Sequence, residues 1–305
     1  MKEGGKAVVY GSIENDTMDL VASAFRKKTG IEVQYWRASS TKVMDRVLSE
    51  SRAGKPAFDV VLTNDAPMDF MRREGVFAKY DSPSAKAFPK HAVDPNLGPR
   101  YRDVLIGIVY HAGLVKKSEA PRSLEDLLKP QYRGKVVMPD PSQHTTTAQW
   151  LASLHKILGG EEKADKFIRD LAATRPLLVE SLTPSGERIT TGETPIGISF
   201  IKNVVFYGKK GIPLDYVRLG KFMGDGHYIA LGAKARSPSA GKAFIDFFLG
   251  EEGLQLMAGV GEWVNRKGIY PPIPGAEKIE TVTMVQLDKK AFAEKMAEYR
   301  KLFLR

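Results

Sequence analysis

The stretch "AVVYGSIENDTMDLVASAFRKKTGIEVQYWR" (Ala7–Arg37) decides the fold class of this chain. Its first run, "AVVYGS", and its last run, "IEVQYWR", are rich in β-branched and aromatic residues and predict two strands. Between them, "DTMDLVASAFRKKTG" has apolar residues at helical spacing and closes on Gly30, which is typical of a helix C-terminus. A strand, a helix and a second strand in this order indicate the start of a parallel α/β sheet.

The same alternation continues along the chain. "SSTKVMDRVLSESRAG" predicts a helix and "FDVVLTND" a buried strand, and "DVLIGIVYHAGLV" (Asp103–Val115) then opens a second α/β series. That series contains a "SLEDLLKP" helix, a "GKVVMPD" strand, a "TTTAQWLASLHKILG" helix, a short "SGERITTGE" helix and a "PIGISF" strand. "SPSAGKAFIDFFLGEEGLQLMAG" predicts one long helix, and "DKKAFAEKMAEYRKLFLR" predicts the last one. Two α/β units without a linker predict two lobes with a ligand site between them.

Composition limits the classes of function. The chain has 305 residues and a formal net charge of +10. Because it has no cysteine, it can form no disulfide, and no thiolate can serve as a nucleophile or bind a metal. The excess of positive charge favours an anionic partner, which could be nucleic acid, a membrane surface or a small anion. Because the charge is spread along the sequence, it indicates a bias in the field of the whole protein rather than a nucleic-acid-binding stripe. "MKEGGKAVVY" passes from two lysines almost directly into a strand, so we expect no signal peptide in this chain. A trimmed exported protein and a cytoplasmic protein both fit that expectation.

No common signature of a nucleotide-binding loop, a serine hydrolase or a zinc protease occurs, and the five histidines never pair at metal-ligand spacing. The turn "PDPSQHTT" allows three interpretations: a catalytic cluster, a metal site or an anion site. Asp140, Ser142 and His144 suggest a triad, but triad members usually come from separate loops. A polar turn whose side chains serve the backbone is the simpler interpretation.

An anion site has better physical support. The first turn of a helix has unpaired N–H groups and a partial positive charge, and neighbouring hydroxyls complete a pocket for an oxyanion. Ser39, Ser40 and Thr41 open one helix in this way, and Thr183 and Ser185 open another. Ordinary N-capping is the alternative for each of them.

Other residues have open alternatives. Lys202 and Asn203 follow "PIGISF" and would project where that strand ends, although Lys202 could simply be solvated. Tyr101 could stack on a ligand or fill the core, and Phe206 with Tyr207 favours packing.

In their order, these segments resemble the periplasmic solute-binding proteins of ABC importers, within the ferric-, phosphonate- and thiamine-binding group. The resemblance rests on "VVYGSIEND", "AFRKKTGIEVQYWRASSTKVMDRV", "FDVVLTNDAPMDFMRREGVFAKYDSP", "LIGIVYH", "LEDLLKPQYRGKVVMPDPS", "TTGETPIGISF" and "SPSAGKAFIDFFLGEEGLQLM". It implies an α/β, two-lobed, type II periplasmic-binding-protein clamshell, each lobe a mixed and mostly parallel sheet flanked by helices, joined by two crossing strands. The lobes would be residues 1–104 with 225–275, and residues 105–224 with 276–305.

The resemblance also implies hinge closure over a ligand, a membrane permease as partner, and a periplasmic or extracytoplasmic location with the signal peptide removed. We expect a monomer without cofactor, enzymatic activity or nucleic-acid partner. Ferric-binding relatives hold iron with a histidine, an acid and two adjacent tyrosines, and the matching positions here are Glu14, Asn64 and Lys202 with Asn203. A lysine in place of a phenolate disfavours iron, for which Glu14 and Tyr207 would be the candidates.

We therefore expect a small organic phosphate, phosphonate or carboxylate, with charge supplied by Lys202 and by His144 if that imidazole is protonated. The expected ligand-binding residues are Ser12, Ser39, Ser40, Thr41, Asn64, Ser142, His144, Thr145, Thr146, Thr183, Lys202 and Asn203. Alternatives are a ferric ion with a synergistic anion, a lyase or transferase on the same fold, and a nucleic-acid-binding protein.

Overall fold

Strands and helices alternate through most of the computed structural model, which describes residues 5–304 apart from the side chain of residue 289. The strands are β1 (Lys6–Gly11), β2 (Glu32–Arg37), β3 (Val60–Asn64), β4 (Phe77–Ala78), β5 (Val93–Asp94), β6 (Gly98–Pro99), β7 (Arg102–His111), β8 (Val136–Pro139), β9 (Leu177–Val179), β10 (Ile196–Phe200), β11 (Leu214–Tyr216), β12 (Lys221–Gly232), β13 (Trp263–Val264) and β14 (Glu280–Thr283). The α-helices are α1 (Asn15–Thr29), α2 (Ser40–Arg52), α3 (Asp65–Arg73), α4 (Thr145–Ala152), α5 (His155–Leu158), α6 (Glu161–Ala173), α7 (Leu182–Thr190), α8 (Asn203–Gly208), α9 (Pro238–Phe248), α10 (Glu251–Gly259) and α11 (Lys289–Phe303).

The chain divides into two compact units: a first unit of Met1–Asp103 with Gly226–Pro271, and a second unit of Val104–Asp225 with Pro272–Arg305. Strands β7 and β12 each have residues in both units. Residues 1–4 and 305 lie outside the described residues. The predicted lobes include these residues, and the expectation about a signal peptide concerns the first four of them. As a division into functional lobes, the predicted bounds stay a prediction.

In the first unit, β1 pairs in parallel with β2 and β3, and the later part of β12 runs antiparallel to β3. Helix α1 buries Met18, Val21 and Phe25 completely. The Phe25 ring meets Phe244 of α9 edge-on at 5.4 Å between centroids. Burial of a side chain of this size is worth about 1.5–3 kcal/mol, so this apolar face holds the helix on the sheet. Gly30 ends α1 in the left-handed conformation, at φ 75°.

In the second unit, β8 pairs in parallel with β9 and β10, and β10 runs antiparallel to β7. Its core surrounds Trp150 of α4, which is 1% exposed. Helix α11 packs against α4 and α6 and adds the buried Tyr299 to this core. The last helix therefore belongs to the packing of the second unit.

Parallel pairing places the ends of neighbouring strands on one edge of a sheet. The carboxyl ends of β1, β2 and β3 share an edge in the first unit, and those of β8, β9 and β10 share an edge in the second. Helices α1, α2 and α3 begin at the first edge, and α4, α7 and α8 begin at the second. The predicted ligand-binding residues lie at these two edges.

Several elements differ from their predicted form, and the predicted "TTTAQWLASLHKILG" helix is divided into α4 and α5. The long predicted helix is two, α9 and α10, because Gly250 is extended and the acidic Glu251 and Glu252 favour a new N-terminus there. The predicted "SLEDLLKP" helix is only a 3-10 turn at Glu125–Leu128. Strand β7 ends at His111, whose carbonyl accepts the N–H groups of Leu114 and Val115 in a turn.

Within residues 5–304, the structure contains no helix with the length and apolarity needed to cross a bilayer.

Candidate functional site

Asp140 shapes the turn that follows β8. Its carboxylate accepts the backbone N–H of Ser142 at 2.8 Å and the side-chain amide of Gln143 at 2.7 Å. Its carbonyl accepts the N–H groups of Gln143 and His144. Both carboxylate oxygens thus hold the turn rather than orient the His144 imidazole. The structure therefore favours the polar-turn interpretation over the catalytic one.

His144 is the N-cap of α4. Its Nδ1 accepts the backbone N–H of Thr147 at 3.2 Å and lies 2.8 Å from the Thr147 hydroxyl. Burial lowers the pKa of His144 to about 4. The imidazole is therefore neutral at pH 7, so the protonation on which the expected charge of His144 depends is absent at that pH.

The start of α4 has three open donors. The Ser142 hydroxyl is buried, with the residue 6% exposed, and has no hydrogen-bond partner in the described part of the chain. Within residues 5–304, the backbone N–H groups of Thr145 and Thr146 also have no acceptor. A buried hydroxyl without a partner costs about 1–3 kcal/mol, so a group that accepts from Ser142 recovers that energy.

Lys202 and Asn203 lie where β10 passes into α8. Asn203 is 6% exposed, and its side-chain nitrogen donates to the Ser199 hydroxyl at 3.0 Å. A Cβ on Gly186 of α7 would lie 2.4 Å from that nitrogen, so only glycine lets α7 and Asn203 pack this closely. The Lys202 ammonium lies 5.3 Å from the centre of the Phe200 ring.

The helix after β9 begins earlier than the sequence predicts. Ser181 precedes α7, and Pro184 falls in its first turn, where a missing N–H breaks no helical hydrogen bond. Thr183 is therefore the second helical residue, and it is exposed. The Ser185 hydroxyl is buried and donates to the Ile198 carbonyl at 2.7 Å, which makes it a structural group.

The other predicted ligand-binding residues lie in the first unit, at the carboxyl ends of β1, β2 and β3. The Ser12 and Thr63 hydroxyls are 2.9 Å apart and link the ends of β1 and β3. Ser39 precedes α2 without a side-chain capping bond, and the backbone N–H groups of Ser40 and Thr41 have no acceptor within residues 5–304. Asn64 precedes α3, also without a side-chain capping bond.

Tyr207, one of the two candidates for iron, is poorly suited to it. Burial, followed by the charge of Glu187, raises the pKa of Tyr207, which disfavours a phenolate. The Tyr207 ring packs against Phe206 at 5.0 Å, and the Lys210 ammonium lies 5.8 Å from its centre. Within the described residues, no group of three His, Asp or Glu side chains could hold a metal ion.

Tyr101 is a core residue. It is fully buried and meets Phe248 edge-on at 4.9 Å between ring centroids.

Sequence reasoning missed three residues that position the site: Thr147, Gly186 and Ser199. Thr147 could have been found, because it stands three residues after a potential N-cap, which is the position that a capping side chain binds. Gly186 and Ser199 gave no local signal, since their role depends on contacts between elements distant in sequence.

Comparison with known proteins places this chain in a family. Residues 7–261 match the family described as bacterial extracellular solute-binding protein. A probable ABC transporter periplasmic-binding protein of Sinorhizobium fredii is 30% identical over 122 residues, which cover 39% of this chain and 34% of that protein.

Two solved structures share the fold. The periplasmic binding protein AfuA of Actinobacillus pleuropneumoniae, with fructose-6-phosphate bound, has a TM-score of 0.70 and 20% identity over 98% of this chain and 96% of its own. Iron-bound HitA of Pseudomonas aeruginosa has a TM-score of 0.74 and 18% identity over 98% of each chain. The predicted type II periplasmic-binding-protein class is confirmed.

The expectation of a binding protein rather than an enzyme is confirmed as well, since the family is named for solute binding. Because the match extends over residues 7–261, the chain belongs to the bacterial extracellular solute-binding proteins.

Proposed function

We propose that the protein captures a small anionic solute outside the cytoplasm and delivers it to the permease of an ABC importer. One observation carries the choice of an anion: the start of α4 combines a buried, unpartnered Ser142 hydroxyl with the open N–H groups of Thr145 and Thr146. All three groups donate hydrogen bonds, and the helix adds a partial positive charge at the same place.

The preferred ligand is an organic phosphate, phosphonate or carboxylate. Lys202 supplies positive charge at the same edge of the strands in the second unit, and Asn203 is fixed beside it by Ser199. The fructose-6-phosphate bound to AfuA supports a phosphate monoester as the first compound to test. Thr183, which is exposed at the start of α7, is a further contact candidate of this edge.

The first unit offers its own candidate contacts, which are Ser12, Ser39, Ser40, Thr41 and Asn64. Their support is the uncapped starts of α2 and α3. That they bind the same ligand as the second unit stays a prediction, which Ser40→Ala tests by a loss of affinity.

A ferric ion with a synergistic anion is the second candidate, because HitA carries iron and a curated Fe(3+)-binding periplasmic protein of Serratia marcescens is 22% identical over 95% of this chain. The raised pKa of Tyr207 and the cation of Lys202 argue against it. The match to a solute-binding family argues against a lyase or transferase.

The test is a thermal-shift screen followed by calorimetry with fructose 6-phosphate, inorganic phosphate, an alkylphosphonate, citrate, spermidine and ferric citrate. A ligand at 100 times its Kd adds about 2.7 kcal/mol of stability, a readily measured shift. We expect stabilisation by one or more of the anions and none by spermidine. Stabilisation by ferric ion alone, with a coloured protein, would contradict an anion-binding function.

Variants locate the site. Ser142→Ala and Lys202→Ala should each weaken the best anion by about tenfold, because each removes a charge-assisted contact. The control is Ser51→Ala in the last turns of α2, at the opposite end of that helix from Ser40. Equal affinity of Ser142→Ala and the wild type would remove the start of α4 from the site.

The partner and location follow from the same proposal. We propose a periplasmic or extracytoplasmic monomer whose signal peptide is removed, with a membrane permease as its protein partner and no nucleic-acid partner. Light scattering should give the 33.7 kDa mass of one chain with and without ligand.

A further inference from the structure

The imidazole of His144 is held in one tautomer. Its Nδ1 lies 3.2 Å from the backbone nitrogen of Thr147 and 2.8 Å from the Thr147 hydroxyl oxygen. A backbone N–H can only donate, so Nδ1 is an acceptor and carries no hydrogen. In a neutral imidazole the other nitrogen then carries it, which makes Nε2–H a donor.

The ring also keeps this state over the ordinary pH range. Burial is the cause that lowers the pKa of His144 to about 4, and no charged side chain contributes to the shift. The acidic residue of the turn, Asp140, binds Ser142 and Gln143 with its carboxylate instead. Between pH 5 and 8 the group is therefore a neutral donor and not a titrating cation.

The neighbouring open groups have the same character. The N–H groups of Thr145 and Thr146 can only donate, and the Ser142 hydroxyl can donate or accept. A ligand oxygen that carries a hydrogen needs an acceptor, and among the His144 Nε2–H, the two backbone N–H groups and the Ser142 hydroxyl, only that hydroxyl can accept. Fully deprotonated oxygens satisfy every donor.

We propose that His144 is a specificity-determining residue of the anion site, where its Nε2–H binds a deprotonated ligand oxygen and selects the dianionic form of a phosphate monoester. This inference rests on the proposed function, because it requires an anion at the start of α4. It assigns the form of the ligand and the role of one side chain.

The first experiment compares two probes by calorimetry at pH 7.5 and pH 5.0. Fructose 6-phosphate loses its second charge with a pKa of about 6, so its affinity should fall by about tenfold at pH 5.0. Sulfate keeps its charge over this range, so its affinity should change by less than about twofold. A sulfate affinity that rises steeply as the pH falls would mean that His144 becomes a cation, and it would overturn the proposal.

The second experiment uses His144→Asn. Asparagine is a favoured N-cap and retains an acceptor for the start of α4, but it has no donor at the position of Nε2. We expect both probes to bind about tenfold more weakly at pH 7.5, with a circular dichroism spectrum like that of the wild type. The matched control is His155→Asn on α5, where the imidazole interacts with the Ala152 carbonyl, and its affinities should equal those of the wild type.

The outcomes separate the two proposals. Unchanged affinity in His144→Asn, together with a loss in Ser142→Ala, would leave the anion site in place and reduce His144 to a capping residue. A wild-type protein that binds neither fructose 6-phosphate nor phosphate nor sulfate would overturn this inference. The proposed function would be overturned with it only if the alkylphosphonate and citrate failed to bind as well.

Discussion

At the scale of single residues, the second-unit site depends on groups whose own hydrogen bonds are already fixed. Both carboxylate oxygens of Asp140 accept hydrogen bonds within the turn, and Nδ1 of His144 accepts the backbone N–H of Thr147. The groups that are left without a partner are a small set of hydrogen-bond donors with little freedom to rearrange. Such preorganisation favours affinity, since little side-chain entropy is lost on binding.

The neutral state of His144 predicts a pH dependence of stability. The folded pKa of about 4 lies below the ordinary value of about 6.5, so the unfolded chain takes up the proton first. Stability is therefore complete above about pH 6.5 and falls as the pH approaches 4, by about 2 kcal/mol between pH 7.5 and 5.0. Urea unfolding of the wild type and of His144→Asn at both values measures this.

Other groups titrate in the same range in both proteins, so the informative quantity is the difference between them. His144→Asn should lose about 2 kcal/mol less than the wild type on acidification. Identical losses would show that His144 is already protonated in the folded protein near pH 6.5, contrary to its buried position.

Gly186 predicts a steric effect. The added methyl group of Gly186→Ala would lie 2.4 Å from the Asn203 side-chain nitrogen, so Asn203 must move. We expect a loss of about 1–3 kcal/mol in the free energy of unfolding and weaker anion binding. The control is Gly259→Ala at the end of α10, where a Cβ would meet nothing within 4 Å and stability should be nearly unchanged.

At the scale of elements, the far end of α4 is held by the segment that leads to α11. The Ser153 hydroxyl donates to the Gln149 carbonyl at 2.7 Å and accepts the Val285 N–H at 2.9 Å, and Gln149 donates to the Val285 carbonyl. The helix that presents the open donors is thus anchored at its other end.

Ser153→Ala tests whether anchoring and binding are separable. It leaves the half-buried Val285 N–H without its acceptor, so we expect a loss of about 1–2 kcal/mol in stability. Anion affinity should stay within about twofold of the wild type, because the first turn of α4 is untouched. A large loss of affinity at unchanged stability would be the opposite of this expectation.

The start of β7 carries a buried ion pair in the first unit. Arg102 Nη1 lies 2.6 Å from the Glu262 carboxylate, and both side chains are 2% exposed. The charge of Glu262 raises the pKa of Arg102 against the effect of burial, so the guanidinium stays charged. Arg102 also lies 3.3 Å from Nδ1 of His227.

Removing one partner of this pair should be costly. Glu262→Gln leaves a buried cation without its counter-charge, and we expect a loss of about 3–5 kcal/mol in the free energy of unfolding. The double variant Arg102→Met, Glu262→Gln should recover part of that loss in a denaturant titration. A single variant as stable as the wild type would mean that the pair contributes nothing to the first unit.

At the scale of the whole molecule, the alternation of strands and helices was predictable because periodicity is a local property. The carboxyl-edge placement of Ser12, Asn64 and Lys202 followed from parallel pairing alone. The split at Gly250 and the early start of α7 were not predictable, since competing signals there are decided by packing. The neutral state of His144 was not predictable for the same reason, because burial cannot be seen in the residues beside it.

The start of α4 has one more consequence, which concerns how such a protein changes its cargo. Two of its three open donors belong to the main chain at Thr145 and Thr146, so nearly any substitution at those positions leaves them in place. The main chain therefore retains its ability to bind an oxyanion when these side chains change. Side chains such as Lys202 determine which ligand carries that oxyanion. A new solute can therefore be acquired by few substitutions at the end of β10 without rebuilding the part that holds the negative charge.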